Sequence, residues 1–424
     1  MRSNGKRGGL ITPGALNGPK QEGLTIIWNS TAPWGASSYS VLTARTVPEL
    51  VRMGHRIHIN SWYGLQGAPQ KWPIRARGDK LGAPIGEAIT YPSIDGNRYG
   101  GDTLLGLYEF TKADCLITCM DIWVLPAALT KNMRFVAWLP VDHDPVPQAV
   151  IDALLPCIYP ISFSQWGQMV LAKAGIKAHY IPPSASVENF YPDPMVQSRA
   201  HLGVPEQCDF LISMVAANKD PSDRKGFGEG ITAFARFLES HPNAMLYVHT
   251  NWNGPVNIKA LADSLNLRNK VLRPEPLPFI LGMFNETYMR MVYSASDVLL
   301  NPAKSEGFGL PLVEAQMCGC PIAASDFSTT DELLFAGWKI KGQQHWSIGA
   351  DSWRLLVNID SVVEALEAAY EARGDEILRR RAREGAREFN TEHVANKFWR
   401  PAMDEITELV RGGSQNKLEL VTFQ

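Results

Sequence analysis

Short apolar runs, each closed by turn-forming residues and followed by a stretch of helical periodicity, recur along the chain. Residues 24–29 read as a buried strand, 41–53 as a helix stopped by Gly54, and 56–60 as an alternating second strand, which together begin a βαβ unit. Residues 114–118 and 135–139 have the continuous apolar character of strands covered on both faces, and 159–164 repeats the scheme with a helix at 165–174. A second series follows at 210–215, 244–249, 298–300 and 321–324, again with helical segments between the runs. This alternation predicts an α/β chain of parallel sheets covered by helices, a class that binds ligands at the C-terminal ends of its strands. Two such sheets facing each other would create one shared cleft. Between the two series, residues 181–194 hold four prolines and little helical periodicity, so they are the expected interdomain linker, with the boundary near Phe190. The stretch 362–412 is charged and helical in pattern, and its arginine run at 378–383 lies among glutamates and reads as a solvated helix face.

The length of 424 residues exceeds what one hydrophobic core usually supports, which agrees with two domains. A net charge of -2 and a pI near 6.5 give no global basic field for nucleic acid or an anionic membrane. The six cysteines form neither a dense disulfide framework nor a zinc pattern, and read as reduced, mostly buried thiols. Cys115 and Cys119 would share one face of a helix, but no second pair or histidine cluster accompanies them, and packing is the better account. The polar, glycine-containing start, residues 1–23, is not a signal peptide and is expected to be a flexible leader. With no apolar window long enough to span a bilayer, the expectation is a soluble, cytoplasmic enzyme.

The most informative stretch is residues 301–315, where Glu306 and Glu314, separated by seven residues, flank a glycine-rich turn and Pro311 suits the start of a helix. Gly307 and Gly309 allow close backbone approach to a ligand, and free N–H groups at a helix start receive a phosphate or a sugar hydroxyl. Here the chain resembles the retaining GT-B glycosyltransferases, above all glycosyltransferase family 4 (glycosyl transferases group 1), including bacterial and phage-encoded members. The resemblance implies that Glu306 lies beside the donor sugar and that Glu314 hydrogen-bonds the nucleotide ribose. Within the same stretch it implies donor contacts at Gly307, Phe308, Gly309 and Leu310. Arg224 and Lys225, in the run 222–227, resemble the family's cations for the donor diphosphate, whose charge grows as the glycosidic bond breaks. The family usually spaces those cations, whereas here they are contiguous. Gly35, in the loop 34–40, resembles the glycine that lets amides approach the donor phosphates from the other domain, although a serine-capped helix start explains the loop as well. His143 falls where the family often carries a histidine near the reacting sugar.

Each of these residues also has a purely structural reading. Glu306 would be a loop carboxylate, Glu314 a first-turn residue favoured by the helix dipole, Arg224 and Lys225 surface charges, and His143 a loop histidine satisfied by carbonyls. The triplet Asp142, His143 and Asp144 also imitates the D-x-D metal motif of the other glycosyltransferase fold, a reading set aside in favour of no metal. The resemblance implies two Rossmann-like domains, 1–190 on the acceptor side and 191–395 for the nucleotide sugar. A C-terminal helix within 396–424 is expected to return to the first domain. It implies a UDP- or GDP-sugar as co-substrate, no further cofactor, retention of configuration, and an acceptor hydroxyl on a glycan, lipid head, small molecule or modified DNA base. The alternatives are transfer onto hydroxymethylated pyrimidines in DNA, a non-catalytic sugar-nucleotide-binding protein, and an epimerase, which should lack the glutamate-flanked turn.

Overall fold

The computed structural model describes residues 23–79 and 81–412, so the expected leader, apart from Gly23, and the last twelve residues lie outside the described part. The first sheet is built from β1 (Thr25–Ser30), β2 (Arg56–Ser61), β3 (Gln70–Ile74), β4 (Gly86–Pro92), β5 (Cys115–Cys119), β6 (Phe135–Leu139), β7 (Cys157–Ser162) and β8 (His179–Tyr180). Its order is β3-β4-β2-β1-β5-β6-β7-β8, and every pairing is parallel except β3 with β4. The second sheet contains β9 (Leu211–Val215), β10 (Met245–His249), β11 (Val271–Leu272), β12 (Val298–Asn301), β13 (Ile322–Ser325) and β14 (Gly337–Ile340). Its order, β11-β10-β9-β12-β13-β14 and all parallel, is that of a dinucleotide-binding fold. In each sheet the strand order reverses once, between β1 and β5 and between β9 and β12. Crevices form beyond the strand ends at such reversals, because neighbouring connections leave over opposite faces.

The helix Ser38–Arg52 starts where the Ser37 hydroxyl accepts from the Ser40 N–H, and packs its inner face on β1 and β2. Three tryptophans from distant parts of the chain meet below the first sheet. Trp138 of β6 lies 6.0 Å from Trp28 of β1 and 5.0 Å from Trp399, and its ring N–H donates to the Ile181 carbonyl. Trp399 leads into the helix Arg400–Arg411, whose Met403, Ile406 and Val410 join a core that also holds Leu24 and Leu50. The Tyr159 hydroxyl of β7 donates to Glu405 at 2.7 Å, so this last helix rests on the first sheet. The proline-rich segment is ordered by the returning chain: the Ala185 N–H donates to Phe389 and the Thr391 N–H back to Ala185.

Several elements escape the apolar pattern. Strands β3 and β14 are half-exposed, and β8 and β11 are only two residues long. The antiparallel hairpin β15 (Gly342–Ser347) and β16 (Ser352–Val357), whose first strand is polar and whose second puts Leu355 and Val357 into the core, is inserted between β14 and the helix Ile359–Glu371. Cys115 and Cys119 correct the helical reading of their spacing: they end the buried strand β5, where residues four apart share a face. All six cysteines are free and buried, and burial pushes the Cys115 and Cys157 thiols far up, the latter to about 12. In the arginine run, Arg379 is structural, donating to the Gly319 and Ser296 carbonyls, while Arg380 and Arg381 are exposed on the helix Glu376–Ala386.

Candidate functional site

The reversal in the second sheet places the loop after β9 beside the loop after β12, and these two loops carry Arg224, Lys225 and Glu306. In the first loop Asp223 adopts φ 51 and its carboxylate receives the Phe227 and Gly228 N–H groups at 2.9 and 2.7 Å. That caps the helix Phe227–Phe237 with the chain's own anion and turns the two cations toward the neighbouring loop. Lys225 Nζ lies 2.7 Å from both carboxylate oxygens of Glu306, and Arg224 Nη1 donates to the Ser305 carbonyl at 2.8 Å and lies 3.9 Å from Glu306. Burial pulls the Lys225 ammonium down and Arg224 adds to this, while Glu306 opposes it.

The helix Leu310–Met317 starts differently. Its cap, Gly309, sits at φ 100 and has no side chain to accept an N–H, with Pro311 in the first turn. Pro311 has no N–H and the Leu312 N–H donates to the Gly309 carbonyl at 2.9 Å, so within this first turn the Leu310 N–H is the donor left for a ligand, in contrast to the helix at Phe227. Phe308 turns its ring into the core against Phe389, so only its backbone is at hand there. Leu310 is half-buried at the helix start.

Across the cleft, the loop after β6 meets this cluster. Asp142 Oδ2 lies 3.2 Å from Arg224 Nη1, Oδ1 lies 2.6 Å from His143 Nδ1, and the Asp142 carbonyl accepts from the Ser305 hydroxyl. Burial alone would raise the Asp142 carboxyl, but the His143 hydrogen bond and the Arg224 and Lys225 charges outweigh it and hold it below the ordinary carboxylate range. Asp144 points elsewhere, to Lys173 at 2.8 Å, and its carbonyl accepts from the Trp353 N–H at 2.8 Å. The two carboxylates of the D-x-D triplet thus serve different cations, and among the described residues no group of acidic, histidine or cysteine side chains is placed to hold a metal. A Cβ on Gly307 would sit 2.6 Å from Pro140 Cβ, so the absent side chain lets the two domains touch as much as it admits a ligand. Gly35 lies in the loop after β1, where a Cβ would sit 2.5 Å from the Ser40 hydroxyl: its lack of a side chain permits the tight helix start.

Glu314 departs from the first-turn reading. It lies in the second turn of its helix, 8% exposed, and is gripped across the domain boundary by Arg45. Arg45 Nη2 donates to Glu314 Oε1 at 2.7 Å and to Glu286 at 2.6 Å, Nη1 donates to the Ser184 carbonyl, and the Tyr293 hydroxyl donates to Glu314 Oε2 at 2.9 Å. Burial raises the Glu314 carboxyl, and Arg45 counteracts it. Each carboxylate oxygen keeps a second acceptor position beyond the bonds from Arg45 and Tyr293. Sequence reasoning missed Arg45, Ser305 and the pairing of Asp142 with Arg224. None carries a local signal, because each partner comes from the other end of the chain.

Residues 214–339 match the family described as glycosyl transferases group 1. Over 154 residues the chain is 28% identical to a D-inositol 3-phosphate glycosyltransferase of Acidothermus cellulolyticus, covering 34% of this chain and 32% of that protein. Over 176 residues it is 25% identical to an alpha-galactosylglucosyldiacylglycerol synthase of Streptococcus pneumoniae, covering 40% of this chain and 44% of that one. The chain thus spans less than half the length of these curated relatives. Whole-chain similarity is structural. The sucrose-phosphate synthase of Thermosynechococcus elongatus superposes with a TM-score of 0.68 at 16% identity, over 91% of this chain and 99% of that one. Anabaena HepE, solved in complex with UDP and glucose, superposes with a TM-score of 0.62 at 14% identity, over 90% of this chain and 100% of that one. The chain therefore has the GT-B fold, and its match to glycosyl transferases group 1 falls on the second sheet, from the end of β9 to β14.

Proposed function

We propose that the chain is a retaining glycosyltransferase that moves a hexose-type sugar from a UDP- or GDP-sugar to an acceptor hydroxyl. The observation that carries this reading is the convergence of Lys225, Arg224 and Glu306 at the reversal point of the second sheet, beside the glycine-capped start of the helix Leu310–Met317. A nucleoside diphosphate sugar needs those groups together: cations for the phosphates, a carboxylate for the sugar hydroxyls, and amides that approach closely. The complex of Anabaena HepE with UDP and glucose supports the choice of donor.

In this reading Glu306 orients the donor sugar, Arg224 and Lys225 stabilise the departing diphosphate, and Glu314 receives the ribose. His143, beside Asp142, lies on the opposite lip for the sugar or the acceptor. The anomeric C–O bond breaks and its electron pair goes to the terminal phosphate oxygen. The acceptor oxygen bonds the same carbon from the same face, and its proton passes to that phosphate oxygen. The enzyme's contribution is positioning and charge stabilisation, with neither metal nor further cofactor in the scheme. Among the described residues no helix is long and apolar enough to cross a membrane, and we place the reaction in the cytoplasm.

The test is release of nucleoside diphosphate from a panel of nucleotide sugars, with and without candidate acceptors. Wild-type protein should turn over at least one donor, Glu306→Ala should abolish transfer with the fold kept, and Glu314→Ala should chiefly raise the donor KM. Wild-type kinetics in both variants would refute the assignment, and a wild-type chain that binds a nucleotide sugar but never turns it over would be a binding protein instead.

A further inference from the structure

The hairpin β15–β16 is fastened to both sides of the cleft: the Trp353 N–H donates to Asp144 and the Leu355 N–H donates to the Lys304 carbonyl at 2.9 Å. Its register sets His345 directly opposite Arg354 and Ser347 opposite Ser352, so these four side chains share one face of the ribbon. That face holds an unusual set of buried polar atoms. Arg354 is 7% exposed and Ser352 fully buried, yet Arg354 Nε, Ser352 Oγ and His345 Nδ1 have no hydrogen-bond partner. Three such atoms on neighbouring positions would cost considerable free energy if nothing ever met them.

Arg354 is aimed at the seam already described. Its Nη1 donates to the Ser222 hydroxyl at 3.0 Å, two residues before Arg224. The other cations there each have a carboxylate within hydrogen-bonding range: Lys225 has Glu306 at 2.7 Å, Arg224 has Asp142 at 3.2 Å, and Lys304 has Glu229 at 3.0 Å. Among the described residues the nearest carboxylate to Arg354 is Asp220 at 3.9 Å, which Arg224 also approaches at 3.8 Å. Burial pulls the guanidinium down, and Arg224 adds to this against Asp142 and Asp220. A cation buried with spare donors and without an anion of its own is prepared for an anion from outside.

We infer that Arg354, with Ser352 and His345, forms a subsite for a phosphoryl group beside Arg224. The planar guanidinium fork matches two phosphate oxygens, the serine hydroxyl donates to another, and the imidazole closes the rim. Two sources share this chemistry, the diphosphate of a nucleotide donor and a phosphate on the acceptor. Only that choice of source rests on the proposed glycosyl transfer, since the subsite itself stands on the unpartnered atoms.

The experiment is calorimetric titration of the full chain and Arg354→Gln with UDP, with uridine, and with inorganic phosphate at saturating UDP. If the donor diphosphate occupies the subsite, Arg354→Gln should weaken UDP about 10- to 100-fold and leave uridine unchanged. If an acceptor phosphate occupies it, UDP is unchanged and inorganic phosphate weakens by a similar factor. Arg354→Lys, which keeps the charge without the fork, should lose less in either arm. If Arg354→Gln does not fold, His345→Ala on the rim should weaken the same probe about threefold or more. Unchanged affinity for both probes in these variants overturns the inference, as does a wild-type chain that binds neither. Phosphate binding that depends on Arg354 in a chain indifferent to UDP would keep the subsite and remove the donor reading instead.

Discussion

Gly307→Ala adds one methyl group at the point where the two domains meet, without touching any charged side chain. The new Cβ would lie 2.6 Å from Pro140 Cβ, 3.3 Å from Pro140 Cα and 3.4 Å from the Val141 nitrogen. Carbon atoms pack at about 3.5–4.0 Å, so the nearest contact falls short by roughly 1 Å. Pro140 cannot swing aside, because its ring is part of the backbone that leaves β6. The bonds from Ser305 to Asp142 and from Trp353 to Asp144 pin the same loop. The seam must therefore open, at an overpacking cost of about 1–3 kcal/mol. If Glu306 on one lip and His143 on the other act on one sugar, a displacement of about 1 Å should lower kcat/KM roughly 100-fold. UDP affinity should stay near the wild-type value, since Arg224, Lys225 and Glu314 keep their places. The assay is donor turnover with a working acceptor, alongside UDP titration. Pro140→Gly removes the atom that is struck, so the double variant Pro140→Gly/Gly307→Ala should recover much of the lost rate. Wild-type kcat/KM in Gly307→Ala, or no recovery in the double variant, would refute the idea that glycine is required here for domain contact.

Arg45→Met leaves Glu314 and Glu286 without their shared cation and should cost about 3 kcal/mol in urea unfolding. Adding Glu314→Gln should return at least about 1 kcal/mol of it, and a loss below about 1 kcal/mol for Arg45→Met alone would show that the pair behaves as an exposed one. His58 is buried in β2 with its ring 3.2 Å from the Tyr91 hydroxyl, and burial pulls its pKa down to about 4. A depressed histidine binds its proton more readily in the unfolded chain, so the stability it contributes is present above the unfolded value of about 6.5 and lost as pH falls toward 4. The difference is about 2 kcal/mol between pH 7 and pH 5. His58→Gln should flatten the pH dependence of urea unfolding by that amount, and an unaltered slope would count against it.

How far the fold can be read without coordinates depends on whether the signal is local. The buried strands β1, β5, β6, β9 and β10 are legible as apolar runs because parallel strands covered on both faces must be apolar throughout. The glutamate-flanked turn is legible for a similar reason: its glycines, Pro311 and both carboxylates lie within one short stretch. The first strand of the hairpin, β15, carries no such mark, since its polar residues look like loop until the register sets His345 against Arg354. Cys115 and Cys119 show the same limit, because their spacing fits one face of either element and only the sheet decides between them.

The chain by itself determined that strands and helices alternate, that they form two series, and that a carboxylate-flanked glycine turn opens a helix in the second. These are consequences of periodicity and of backbone conformations available to particular residues. Only the tertiary structure decided that Asp142 meets Arg224, that Arg45 grips Glu314 269 positions away, and that Gly307 is needed against Pro140. Such pairings are set by strand order and by the way two sheets face each other, and a charge carries no record in its neighbours of the distant charge that will balance it.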